Sequence, residues 1–380
     1  MLLPLLIAFA VSAALTLLIV RSSKLHGRHS ADHDFSKPQK FHAVAVPRIG
    51  GLGIVLGIMS AVVATVGTTA EPTVGLAWLL LACALPAFVA GLVQDFTEAV
   101  TPRGRLLATA ISALLAYALL DSAITHTAIP GLDWLVTFTW GSVFLTVLAV
   151  AGIANAINIV DGFNGLASMC VVIMLAAVAY VATQVGDPLI EWLALAGMGA
   201  VLGFFLWNFP AGLIFLGDGG AYFLGFFVAE LCILLLQRNA DEVSPLFPLL
   251  VCIYPVFETL FSIYRRVFLR SVPPSMPDGI HLHSLVYRRL MRWAVGDRSA
   301  KSLTRRNSMT SPYLWLLCMF SVVPALLFWN NTPVLASFLF LFGFSYTALY
   351  WRIVRFRSPR WLKLAHSRPR SPAAGDNDGT

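Results

Sequence analysis

The sequence predicts an all-α protein that crosses a membrane many times. Three observations carry this. The 380 residues are 58% hydrophobic and only 12% charged, with a mean hydropathy of +0.78, a balance far outside that of ordinary water-soluble domains. Apolar runs of membrane-crossing length recur along the whole chain. Basic residues gather in alternate loops, as a regular series of crossings requires.

Taken in order, about eleven segments emerge. The first, 2–20, has no basic leader and no convincing small-residue cleavage site, so it reads as a retained helix. A polar stretch, 21–39, follows, in which His26, His29 and His33 read as solvated. Val46-Pro47-Arg48-Ile49-Gly50-Gly51 then gives a tight start to the segment 50–69. Its backbone N–H groups are expected to be open to an anion. Segment 74–93 ends in Gln94-Asp95-Phe96-Thr97-Glu98, and segment 106–120 follows the Thr101–Arg105 turn. An outer loop leads to segment 134–154. Segments 166–183, 190–207, 221–236 and 245–264 come next, with Asp187 and Glu191 expected as solvated loop charges. Segments 313–329 and 334–351 close the membrane region. Residues 285–293 mix apolar, aromatic and basic side chains as an interfacial helix does. The basic tail 352–380 is expected to be disordered.

Of the 26 Lys and Arg residues, 25 lie in loops on one side of this series; only Arg238 lies on the other. Positive charge marks the cytoplasmic side. The N-terminus is therefore expected outside, and loops 21–49, 94–105, 155–165, 208–220 and 265–312 in the cytoplasm with the tail. Residues 1–351 read as a single domain. Cys83, Cys170, Cys232, Cys252 and Cys318 all fall in apolar runs without a CxxC pair and read as small buried hydrophobes.

The chemistry concentrates on the cytoplasmic side. Asn155, Asn158 and Asp161 follow an i, i+3, i+6 spacing and share one helix face. Asp161-Gly162-Phe163-Asn164-Gly165 after them is turn chemistry that lets backbone approach a ligand. A second glycine-rich turn, Gly217-Asp218-Gly219-Gly220, opens a helix, where a phosphate would suit the dipole. Asp95, Glu98, Asp161 and Asp218 thus come from three loops on one membrane face, joined by Asn208, His281 and His283. Carboxylates without thiols suit a hard cation, Mg²⁺ or Mn²⁺. Two acids lie within apolar runs and are functional candidates: Glu258, within reach of the site or of Arg265, and Glu230, with no evident role. The whole points to metal-assisted phosphoryl transfer at the membrane surface. No nucleic-acid signature accompanies it. A one-sided site argues against a transporter, which needs access from both faces.

These motifs resemble the polyprenyl-phosphate N-acetylhexosamine-1-phosphate transferases. The resemblance runs from Pro47 to about Tyr287. Asn155-x-x-Asn158-x-x-Asp161-Gly162-x-Asn164-Gly165 and Phe215-x-Gly217-Asp218 carry it most specifically, while His281-Leu282-His283 ends in Ser284 where the family often has a further histidine. It implies transfer from a UDP-N-acetylhexosamine to undecaprenyl phosphate, giving undecaprenyl-diphosphate-sugar and UMP. This would be the first membrane step of O-antigen or other surface glycan synthesis, in a bacterial inner membrane. By this analogy Asp95, Asp161 and Asp218 are catalytic, and Asp218 and Asp161 hold Mg²⁺. Arg48, Asn155, Asn158, Phe163, Asn164, Asn208, Phe215, His281 and His283 bind substrate, Asn208 and Phe215 meeting the uracil. One departure stands out: the family's paired aspartates appear here as Gln94-Asp95. Asp95 is therefore expected to be required, as a base if one is needed, and Gln94→Asp to be tolerated. A flippase and a non-catalytic assembly protein of the same fold are the competing readings. A homodimer is compatible with the sequence, which contains nothing that establishes it.

Overall fold

The computed structural model describes residues 2–23, 46–66, 71–269, 280–291 and 300–355. His26, His29, His33, most of loop 21–49 and the tail beyond Arg355 lie outside the described residues. The described chain is helical, without strands. Its helices are α1 (Leu2–Arg21), α2 (Gly50–Thr65), α3 (Glu71–Thr97), α4 (Pro102–Leu120), α5 (Pro130–Val136), α6 (Thr139–Val160) and α7 (Leu166–Gln184). They continue as α8 (Pro188–Asn208), α9 (Gly217–Arg238), α10 (Leu246–Val251), α11 (Ile253–Tyr264), α12 (Leu282–Leu285), α13 (Ala300–Leu327) and α14 (Thr332–Val354).

Nine of these helices, among the described residues, are long and apolar enough to cross a membrane. The other two expected segments differ in form. The second is the 16-residue α2. The ninth breaks at Cys252 into α10 and α11. Pro255 explains the break: it lacks an N–H, and its ring crowds the carbonyl four residues earlier, at Val251.

The helix starts follow local chemistry. Thr101 accepts from the Gly104 N–H at 3.1 Å, with Pro102 at the first helical position. Asp187 does the same for Ile190 at 3.3 Å before Pro188. The expectation of a solvated Asp187 fails for this reason. It is buried and receives Arg238 Nε at 2.6 Å, so the one arginine outside the basic loops is spent on an ion pair.

Helix α9 is the axis of the fold. Every residue from Gly219 to Leu235 is buried, and α9 packs against α2, α3, α6 and α7. The periphery is apolar outward, as lipid contact requires: Phe340 and Phe344 on α14 are 82% and 73% exposed. All five cysteines are buried and free.

Candidate active site

The site is built where α9 begins. Two extended stretches pair there: Phe215 N–H donates to the Pro47 carbonyl at 2.8 Å, and Gly50 and Gly51 N–H donate to the Phe215 and Leu216 carbonyls at 3.0 Å each. The amides that sequence alone left open to an anion at the start of α2 are therefore spent within the protein. The pairing brings backbones so close that a Cβ on Gly217 would overlap the Arg48 carbonyl oxygen, and Gly217 also has a left-handed φ of +79°.

The end of α3 meets the same point. Asp95 is buried, and its two oxygens accept from the Asp218 N–H at 2.8 Å and the Gly219 N–H at 2.9 Å. Asp95 thus caps α9 from another helix, satisfying two donors that a helix start leaves unpaired. This corrects the expectation that the first amides of α9 are left for a phosphate, and it engages both Asp95 oxygens within the protein. Its neighbour Gln94 turns elsewhere, accepting from the Val100 N–H at 2.9 Å and shaping the 97–101 turn.

Asp218 itself faces a polar cluster. One oxygen accepts from Asn158 Nδ2 at 2.9 Å, and the other makes a close ion pair with Arg105. Tyr222 donates to Asn158 Oδ1 at 3.3 Å, fixing that amide's orientation. Asp161 ends α6 beside this cluster. Burial and the charge of Asp218 push its carboxyl up to about 7 against the pull of the Arg48 guanidinium. Arg48 pairs with Glu98 at 3.2 Å, so Glu98 stands at the rim. Sequence reasoning missed Arg105 and Tyr222. A signal existed for the arginine: a cation in the first turn of α4 opposes that helix's dipole and calls for an anionic partner.

The remaining predicted amides do not face this cluster. Asn155 donates to the Ala151 carbonyl at 2.7 Å and to Thr109 at 3.4 Å. Asn208 accepts from the Gly165 N–H at 2.6 Å and donates to the Ile214 carbonyl at 2.7 Å. Asn164 donates to the Pro210 carbonyl and Ser308, each at 3.3 Å, while Asn307 receives its N–H at 2.8 Å. The Asn164 and Asn208 side chains are buried and link the 161–165 turn to the loop before α9 and to α13. Phe215 is half-buried beside the extended pairing.

The histidines border the turn from the other side. The His281 and His283 rings stack at 5.1 Å with an 11° tilt. His283 meets the Phe163 ring edge-on at 5.5 Å, and Phe163 also touches Tyr287 at 5.4 Å.

Among the described residues, no group of three His, Cys, Asp or Glu side chains gathers closely enough to hold a cation alone. The donor set still fits Mg²⁺, which takes one or two carboxylates and completes its shell with water and substrate phosphates. Asp218 and Asp161 are the two carboxylates of the cluster, and burial first, then the charge of Asp218, disfavours the ionised form of Asp161.

Comparison with known proteins follows the same lines. Residues 77–236 match glycosyl transferase family 4. A Bacillus subtilis (strain 168) protein named "probable undecaprenyl-phosphate N-acetylglucosaminyl 1-phosphate transferase" is 32% identical over 295 residues, covering 77% of this chain and 78% of its own. The Escherichia coli (strain K12) undecaprenyl-phosphate alpha-N-acetylglucosaminyl 1-phosphate transferase is 26% identical over 343 residues, 88% of each chain. A phospho-N-acetylmuramoyl-pentapeptide-transferase from Geobacillus thermodenitrificans is 31% identical over 199 residues, covering 50% of this chain and 60% of its own.

Proposed function

The chain belongs to glycosyl transferase family 4, and from that premise we propose that it transfers N-acetylhexosamine 1-phosphate from a UDP-sugar to undecaprenyl phosphate. An oxygen of the acceptor phosphate attacks the phosphorus that bears the sugar. The bond from that phosphorus to the UMP oxygen breaks, and UMP leaves. The products are undecaprenyl-diphosphate-sugar and UMP.

The observation that carries this reading is the cluster of Asp218, Asn158, Arg105 and Asp161 at the start of a buried helix. Asp218 and Asp161 would hold Mg²⁺, which supplies charge neutralisation at the diphosphate. Arg105, paired with Asp218, and Arg48, paired with Glu98, would meet the same anion from the protein side. Asp95 is a positioning residue: it holds the first turn of α9 and with it the direction of Asp218. No protein base is needed on the acceptor, because a phosphate monoester has its second pKa near ~6 and is mostly dianionic at neutral pH. Positioning and charge neutralisation then carry the rate. This also removes any difficulty with Gln94.

The alternation of basic loops supports eleven crossings, an outer N-terminus, a cytoplasmic C-terminus and a site on the cytoplasmic face of a bacterial inner membrane. A transporter reading gains no support from the relatives named above. Two of them carry N-acetylglucosaminyl in their names, which puts UDP-N-acetylglucosamine first among donors to try. The test incubates purified protein with radiolabelled UDP-sugars, Mg²⁺ and undecaprenyl phosphate. UMP release with label in the lipid extract is expected. Absence of both across a panel of UDP-N-acetylhexosamines would sink the proposal.

A further inference from the structure

Glu258 lies on α11, deep among apolar side chains, and only 2% of its side chain is exposed. A carboxylate taken out of water needs donors on every side. Glu258 has three. His281 Nδ1 and the Leu282 N–H both reach Oε1 at 3.0 Å, and the Tyr346 hydroxyl donates to Oε2 at 2.6 Å. Sequence placed Glu258 within reach of the site or of Arg265. Arg265 instead donates to the Ile280 carbonyl and the Tyr350 hydroxyl.

The contacts continue toward the site without a gap. Nδ1 of His281 is committed to Glu258, which fixes where the opposite ring edge points. His281 stacks on His283. His283 in turn abuts the 161–165 turn: its ring edges Phe163, and a Cβ added at Gly162 would lie 3.4 Å from its Nε2. Tyr346, fully buried on α14, holds the far end.

We propose that Glu258, steadied by Tyr346, is a positioning residue that holds the His281–His283 pair against the 161–165 turn, where the pair meets the diphosphate of the UDP-sugar. The part concerning the diphosphate rests on the transferase reading above. Glu258 touches no substrate in this arrangement; it acts through the histidines. An anionic acceptor makes a charge-assisted bond to the ring, about twice as strong as a neutral one. Its loss leaves the ring's place to weaker contacts.

The test is Glu258→Gln, which keeps size and an acceptor oxygen but removes the charge, with Tyr346→Phe as a milder second variant. Glu258→Gln is expected to raise the KM for the UDP-sugar about tenfold, the size of effect seen when a supporting hydrogen bond is lost, with the KM for undecaprenyl phosphate unchanged. Tyr346→Phe should move the donor KM in the same direction, by about two- to threefold. Histidine-selective NMR of wild-type protein should show one Nδ1–H proton shifted far downfield, and Glu258→Gln should abolish that shift. Unchanged donor KM and unchanged NMR signal in folded Glu258→Gln protein would overturn the proposal. So would equal losses toward both substrates that merely follow a fall in folded protein. Wild-type protein that releases no UMP would sink the transferase reading instead. The histidine signal would still report on the Glu258–His281 bond.

Discussion

Two neighbouring regions use the same residue types for different ends. Around Asp218, an amide and an arginine each take one carboxylate oxygen, and the group stays partly exposed. Around Asn164 and Asn208, a few residues away in the same turns, every amide group is closed onto backbone or onto α13. The first region is the one proposed above to take an anion and a cation. The second holds the first in place. The difference teaches that an asparagine in a glycine-rich turn reads as a ligand or as a strut only once its partners are known.

Four measurements can break or sharpen that division. Asp218→Asn carries the largest expected effect. It keeps the backbone N–H that Asp95 holds and the size of the side chain, and lowers kcat by about a thousandfold, the scale of losing a preorganised charge at the reacting group. UMP release and a thermal melt, taken together, check it. Asp95→Asn comes next. It turns an –NH₂ toward one of the two backbone N–H groups at the start of α9 and is expected to cost about a hundredfold in kcat, with a lower melting temperature. Full activity in Asp95→Asn would show that the cap does not set Asp218.

Asn208→Ala should do the reverse of Asp218→Asn. It leaves the Gly165 N–H and the Ile214 carbonyl without their partner, a penalty of about 1–3 kcal/mol for each buried group. Melting should fall by several degrees while the donor KM of the folded fraction stays unchanged. A raised KM with an unchanged melt would move Asn208 from strut to substrate contact.

The smallest effect is electrostatic. The Asp161 carboxyl sits at about 7 in the fold against an ordinary 3.8. The folded protein therefore holds this proton more tightly than the unfolded chain does. Metal-free protein should gain stability as pH falls from 8 through 7 toward 5, and lose it as pH rises through the same range. Asp161→Asn should flatten that profile and melt above wild type at pH 8. Mg²⁺ at pH 8 should stabilise wild type more than Asp161→Asn. A pH-independent wild-type melt would contradict the crowding of charge.

Much of this was legible in the sequence. The helical class and the recurrence of helices of membrane-crossing length followed from apolar length, which depends only on local chain properties. Asp218 and Asn158 were legible because a glycine-rich turn and a helix-face spacing put them at helix ends. What escaped were the pairings between distant elements. Nothing near Asp95 announces that its oxygens reach amides 123 and 124 residues away. Nothing near Asn208 shows that its amide closes on Gly165. The break at Cys252 was signalled by Pro255, but the apolar run around it hid the signal.

Helix α9 is clasped by carboxylates at two points: by Asp95 at its first amides and, just past its middle, by its own Glu230, which accepts from Ser122 at 2.6 Å. Sliding by one residue would turn α9 by about 100° and break both clasps. The intramembrane acid that had no evident role in the sequence is thus a second anchor for the rotational register of the helix that opens with Asp218.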